Sequence, residues 1–233
     1  MNESDLQDPG LTVSSEARER VLRLRRLDCC TVSDARDRLK MPGVLSGIPQ
    51  QSGSSRIAGL IITVKLERGT APAGVVRHLG TTAIEAGGPY HVIAVEQRTG
   101  VEAGSWGGLL TLGAKEKGIA GVLADGPVRD IDEAREAGFA VFTKALTALT
   151  ARGRVFEQAT NVPITMWDVE VHPGDYVIAD RSAVIFIKAG DIGRILDVAE
   201  DIAAREAAMA KAILAGTPMT QVMAGNYENM LKG

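Results

Sequence analysis

The chain has 233 residues, with 26 Lys+Arg against 29 Asp+Glu for a formal net charge of −3, and 45% of its residues are hydrophobic. The charges are not segregated into blocks, which argues against sequence-independent nucleic-acid binding, and no stretch approaches the ~18–20 consecutive apolar residues of a membrane span. Twenty-six glycines beside only 4% aromatic residues suit an α/β protein rich in tight turns more than an aromatic-cored β-sandwich, and the length allows one large domain or two small ones.

Residues 1–14 are polar and expected to be flexible, with none of the apolar run of a secretory signal. The pattern EARERVLRLRRL places Val21, Leu24 and Leu27 on one helical face. Cys29 and Cys30 are adjacent, a spacing that strains any bridge between them. They are expected to be reduced, as in a cytoplasmic protein, and no CxxC or HxxxH spacing suggests a metal. Thr31 or Ser33 is the expected cap of a second helix, SDARDRLK. Prolines and glycines from Pro42 to Gly53 mark a turn-rich connection.

A strand–helix rhythm follows. RIAGLIITVKL (56–66) reads as a buried strand, 75–87 as a helix stopped at Gly87-Gly88-Pro89, and HVIAVEQ (91–97) as a strand. GGLLTLGAKEKG (107–118) reads as a helix, IAGVLAD (119–125) as a strand, DIDEAREAG (130–138) as a helix with acids in its first turn, and FAVFTKA (139–145) as a strand. Such alternation predicts a parallel βαβ core. Residues 162–188 change character and predict a β-hairpin or small barrel-like layer. A long helix is expected at 191–215, followed by a tail, 217–233, that could dock on its own subunit or a neighbour.

The segment 104–133 is the most informative for chemistry. A strand runs into Asp125-Gly126-Pro127 and presents Arg129 and Asp130 at a helix start, the usual ligand position in open α/β sheets. Arg129 suits a carboxylate and Asp130 a hard cation such as Mg²⁺; equally, Asp130 could be an N-cap and Arg129 a surface ion pair. Gly107-Gly108 at a helix start let an anion approach free N–H groups, or serve only a tight turn against Trp106. His78, His91, His172, Glu85, Asp175, Asp180, Glu200, Asp201 and Glu206 read more readily as structural or solvated residues.

The sequence resembles the RraA-like family, which includes the 4-hydroxy-4-methyl-2-oxoglutarate aldolases. The matching pieces are LDCCTVSDARDRL (27–39), SRIAGLIITVKL (55–66), HLGTTAIEAGGPYHVIAVE (78–96), WGGLLTLGAKEKGIAGVLADGPVRDIDE (106–133) and VHPGDYVIADRSAVIFI (171–187). The resemblance implies an α/β fold, a compact swivelling β/β/α-type domain over 15–216 with a parallel core and a C-terminal helix. It further implies a homotrimer or homohexamer with sites at subunit boundaries. For function it implies a Mg²⁺- or Mn²⁺-dependent pyruvate aldolase or oxaloacetate decarboxylase acting on a 2-oxo acid, with a hydratase, a hydrolase or a ribonuclease regulator as alternatives. Asp130 matches the metal-ligating aspartate, Arg129 the residue that holds substrate carboxylate, and Gly107, Gly108, Leu109 and Leu110 the loop that binds the pyruvyl carboxylate. Glu206 matches a metal-site carboxylate from a neighbouring subunit. Aldolase members usually carry Asp or Glu where this chain has Gly108, so Gly108→Asp is expected to raise aldol cleavage.

Overall fold

The computed structural model describes residues 12–72, 74 and 78–223. Helix α1 (Ser15–Leu24) begins where Ser14 Oγ accepts from the Ala17 N–H at 3.1 Å. Helix α2 (Cys29–Arg38) starts earlier than Thr31 or Ser33 would allow, because Asp28 Oδ1 accepts from the Thr31 N–H at 2.8 Å and supplies the cap. The turn-rich connection holds two short strands, β1 (Val44–Leu45) and β2 (Gln50–Ser52).

Next come β3 (Ile57–Arg68), α3 (Thr81–Ala86), β4 (His91–Glu96), α4 (Gly108–Glu116), β5 (Gly121–Asp125), α5 (Ile131–Glu136) and β6 (Ala140–Thr143). The helix expected over 75–87 is shorter: 75–77 lie outside the described residues, and α3 starts after Gly80, whose φ of 79° suits glycine. Strands β7 (Val155–Thr160), β8 (Ile164–Met166), β9 (Val169–Val171), β10 (Tyr176–Ala179) and β11 (Val184–Ile187) follow. Helices α6 (Ile192–Leu214) and α7 (Met219–Met223) end the described chain. Among the described residues, no helix is long and apolar enough to cross a membrane.

One nine-stranded sheet runs β1-β11-β10-β3-β4-β5-β6-β2, with β7 beside the far half of β3. Strands β3, β4, β5 and β6 are parallel neighbours, as the alternation predicts. The separate layer expected at 162–188 divides in two. Strands β8 and β9 form a separate two-stranded hairpin, while β10 and β11, paired antiparallel with each other, join the main sheet through β10, which runs antiparallel to β3. Period-2 alternation is the same in either arrangement, so it does not choose the partner.

The alternation sorts side chains to two faces. Ile62, Ile93, Val95, Val122 and Val141 face α3, α4 and α5. Ile61, Val92, Leu123, Phe142, Val177 and Phe186 turn inward, where the sheet curls around the β8–β9 residues Ile164, Met166 and Val171. The β10 and β11 end is covered by α1, α2 and α6 through Val21, Leu24, Val32, Ile195 and Leu196. Each fully buried aliphatic side chain contributes about 1.5–3 kcal/mol. This wrapped sheet with helices outside is an α/β fold with a parallel core and a C-terminal helix.

Candidate active site

The site lies beyond the C-terminal ends of the parallel strands. After β5 the chain turns at Gly126-Pro127, and Val128 makes parallel bridges to both Trp106 and Leu146. These bridges carry the β4-β5-β6 register into the three following loops. Ser105 reinforces the clamp, donating from its N–H (2.8 Å) and its Oγ (2.9 Å) to the Pro127 carbonyl. The Arg129 N–H then donates to the Trp106 carbonyl at 3.1 Å. Trp106 is itself buried, its Nε1 donating to Thr111 Oγ1 at 3.0 Å. Arg129 therefore stands on a rigid floor.

Asp130 occupies the N-cap position of α5 in the left-handed region, φ 58° and ψ 38°, yet its side chain does not cap that helix. Instead Oδ2 accepts from the Gly108 N–H at 3.0 Å, at the first turn of α4. The two readings of Asp130 thus meet: it caps a helix, but the one 22 residues away. The ladder of α4 begins when the Thr111 N–H donates to the Gly107 carbonyl at 3.0 Å. The N–H groups of Leu109 and Leu110 belong to the helix's unpaired first turn. Asp130 already uses the Gly108 N–H, so an anion would meet only the two leucine amides.

Glycine is needed on both sides of this arrangement. A Cβ at Gly104 would fall 2.6 Å from Arg129 Cγ and 2.7 Å from Cδ, so Gly104 makes the channel for the arginine stem. A Cβ at Gly107 would fall 2.9 Å from Asp130 Oδ2. Arg129 Nε lies 3.6 Å from Asp130 Oδ1, an ionic contact too long for a hydrogen bond, and Nε is buried with no hydrogen-bond partner among the described residues. Both side chains are about one-third exposed, at 35% and 34%.

Arg129, Asp130, Gly107, Gly108, Leu109 and Leu110 all line one cleft of about 250 Å³, so the structure brings the predicted pair and loop together. His78, Leu79, Gly104, Trp106, Thr150 and Ala151 complete it. His78 is not on a helix, and its Nδ1 lies 3.0 Å from the Leu79 carbonyl. A larger cavity of about 430 Å³ around Arg25, Arg56 and Pro89 includes neither Arg129 nor Asp130. Behind the site, burial pushes the Asp125 carboxyl above its usual range, against the Trp167 N–H and Arg98.

Glu206 is not brought to this cleft. It sits on α6, where burial first, then the charges of Asp34 and Asp28 on and before α2, raise its carboxyl above the ordinary range. The other weighed residues take structural roles. Asp180 accepts from the N–H groups of Cys29, Ser182 and Ala183, and Asp175 from those of His172 and Ala189 and from Lys188. Glu200 is paired with Arg23, Glu85 with Lys117 and Asp201 with Arg205. Cys29 is buried and Cys30 exposed, both free.

A side chain introduced by Gly108→Asp would displace the exposed end of Glu133. A Cβ there would overlap Glu133 Oε2 and lie 2.7 Å from Glu133 Cδ. Glu133 escaped the sequence reading because an acid in a helix's first turn already suits the helix dipole. Gly104 offered no signal either, since its role depends on where the Arg129 stem runs.

A family model described as RraA-like, Aldolase/RraA, matches residues 29–186, and the chain belongs to that family. Over 139 residues it is 31% identical to a 4-hydroxy-4-methyl-2-oxoglutarate aldolase of Thermus thermophilus, covering 58% of this chain and 77% of that one. It is 26% identical to the protein DlpA of Legionella pneumophila over 82% of this chain, spanning only 31% of that protein's length. The structure of Streptomyces coelicolor RraAS2, described as an unusual member of the RNase ES inhibitor RraA protein family, aligns with a TM-score of 0.70 and 25% identity, covering 81% of this chain and 93% of that one.

Proposed function

We propose that this chain is a divalent-metal-dependent carbon–carbon lyase that cleaves a 2-oxo acid by retro-aldol reaction, β-decarboxylation or both. The observation that carries the reading is the Arg129–Asp130 pair at the mouth of a cleft floored by the first turn of α4. The name of the Thermus relative supports the same class. The donor set fits Mg²⁺ or Mn²⁺: Asp130 offers hard oxygen to the cleft, and such ions take few protein ligands and keep several waters. No group of three or more His, Cys, Asp or Glu gathers among the described residues, so Asp130 would be the chain's own anchor. The cation, when bound, supplies a Lewis acid beside a developing negative oxygen.

The protein's own residues do the rest. Arg129 presents the planar fork that pairs with a carboxylate or enolate oxygen. The Leu109 and Leu110 amides at the positive end of α4 hold the other end of the pyruvyl group. As the bond beyond C3 breaks, charge builds on the C2 oxygen, where Arg129 stabilises it more than in the ground state. The clamp of Trp106, Val128 and Ser105 holds the Arg129 main chain, and Gly104 leaves the channel along which its stem runs.

Assembly as a homotrimer or homohexamer belongs to the same proposal. Leu109, Leu112, Leu146 and Leu149 near the cleft are exposed, Leu109 at 86%, and a second copy packed there would cover them. Glu206 could reach the site only from such a neighbour. Light scattering on the purified chain measures this; a monomer at micromolar concentration would remove Glu206 from the site.

The decisive assay is pyruvate release from 4-hydroxy-4-methyl-2-oxoglutarate and from oxaloacetate, with Mg²⁺ or with EDTA. Release is expected only with metal and is expected to fall at least about 10³-fold in Asp130→Ala, about 4 kcal/mol of barrier. The likeness to RraAS2 favours a second reading, a ribonuclease regulator. Silence on both substrates together with no Mn²⁺ binding would favour the regulator.

A further inference from the structure

Helix α5 begins with three acids, and the structure treats each differently. Asp130 caps α4. Asp132 pairs with Arg135 at 2.9 Å. Glu133, one turn from Asp130 and therefore on the same face, is exposed and makes no side-chain hydrogen bond or ion pair among the described residues. Its carboxylate lies over Gly108, in the volume that any side chain at that position would need. A Cβ built on Gly108 would lie 2.7 Å from Glu133 Cδ and 3.3 Å from Asp130 Cβ. Gly108 lines the cleft beside Asp130. A carboxylate with no ion pair or side-chain hydrogen bond among the described residues therefore lies against Gly108, which lines the cleft beside Asp130.

We infer that Glu133 is the proton-accepting carboxylate of the proposed aldol cleavage, reaching the site across Gly108. The inference rests on the lyase reading above. In a 4-hydroxy-2-oxo acid, Glu133 takes the proton of the C4 hydroxyl as the C3–C4 bond breaks and the C4 carbonyl forms. The bonding electrons pass to C3 and the C2 oxygen as an enolate opposite Arg129. Return of the same proton to C3 gives pyruvate and leaves Glu133 ionised. Atoms and charge balance with no co-reactant. β-Decarboxylation of oxaloacetate has no hydroxyl to deprotonate, so it depends far less on this residue. A positioned acid–base group of this kind typically contributes 10²–10⁴-fold in rate.

The test compares wild type, Glu133→Gln, Glu133→Ala, Gly108→Asp and the double variant Gly108→Asp/Glu133→Ala. It measures cleavage of 4-hydroxy-4-methyl-2-oxoglutarate, decarboxylation of oxaloacetate and calorimetric affinity for Mn²⁺ alone. In Glu133→Gln, aldol kcat is expected to fall about 10²–10⁴-fold. The ratio of aldol to decarboxylase rates should drop at least about 30-fold, with Mn²⁺ affinity within about threefold of wild type. Gly108→Asp alone should gain little, because the new side chain displaces the Glu133 carboxylate from its place over Gly108 and exchanges one acceptor for another. In the double variant the new carboxylate enters the vacated volume and should recover at least about tenfold over Glu133→Ala. Equal losses in both reactions, or a collapse of Mn²⁺ affinity, would show a structural or metal-holding role and overturn the inference. So would an unchanged aldol rate. If wild-type protein cleaves neither substrate, the lyase reading itself falls and takes this inference with it. Wild-type activity with an indifferent Glu133→Gln overturns the inference alone.

Discussion

Gly104→Ala perturbs Arg129 without altering any chemical group. The added methyl would sit 2.6 Å from Arg129 Cγ, 2.7 Å from Cδ and 3.3 Å from the Leu149 carbonyl. The first two atoms belong to a flexible stem, which can move; the carbonyl need yield only a few tenths of an ångström. Gly104 has no left-handed φ, so alanine fits its backbone. The folding cost is therefore modest, about 1–2 kcal/mol for local overpacking. On the proposed lyase reading the functional cost is larger, since a stem pushed from its channel carries the guanidinium away from its place in the cleft. A charge-assisted hydrogen bond contributes about 1.5–3 kcal/mol, which at about 1.4 kcal/mol per decade gives roughly a 10- to 150-fold loss in kcat/KM. The assay is pyruvate release from oxaloacetate, with a thermal melt confirming the fold. A folded variant with kcat/KM within about threefold of wild type would refute the reasoning, because Arg129 would then not need its observed position.

Asp180→Asn probes a purely structural carboxylate. Burial opposes its ionisation, but the N–H groups of Cys29, Ser182 and Ala183 outweigh that and hold its pKa below the ordinary aspartate range. Its folded value being depressed, the stabilisation is complete above the unfolded pKa of about 3.9 and lost as pH falls through the lower folded value. Denaturant unfolding at pH 7 should show a loss of about 1.5–3 kcal/mol, shrinking below about pH 4; a gap that persists at pH 2 would refute the charge argument. Thr111→Val keeps the shape of the α4 core residue but strands Trp106 Nε1. It should cost about 1–3 kcal/mol in the same assay, and a neutral effect would mean that the indole finds another acceptor.

The parallel core was legible because its strands are continuous apolar runs between helices with clear glycine stops, as in HVIAVE and IAGVLAD. That Arg129 and Asp130 stand together at a cleft was legible because a strand end facing a helix start is a general ligand position. What escaped the sequence depends on three-dimensional partners. Strand β7, with VFEQAT only partly buried, exists because β3 runs past β10 and leaves its far half open to pairing. Strands β1 and β2 are too short to show a period, and both are edge additions. Gly104 and Glu133 matter through one stem and one carboxylate whose paths no local pattern encodes.

The backbone at Asp130 explains why the two halves of the site are inseparable. A left-handed conformation costs a non-glycine residue about 1–2 kcal/mol, and Asp is among the few that tolerate it. That turn breaks the chain direction just before α5, so the Asp130 carboxylate projects toward α4 instead of folding onto its own helix. The bond to the Gly108 N–H, a charged acceptor at a positive helix end, offsets much of the strain. The same turn sets Glu133 one helical turn beyond, over the glycine that Asp130 caps. One strained residue thus fixes the direction of the cleft-lining Asp130 carboxylate, the start of α4 and the placement of Glu133, and relaxing it would disturb all three together.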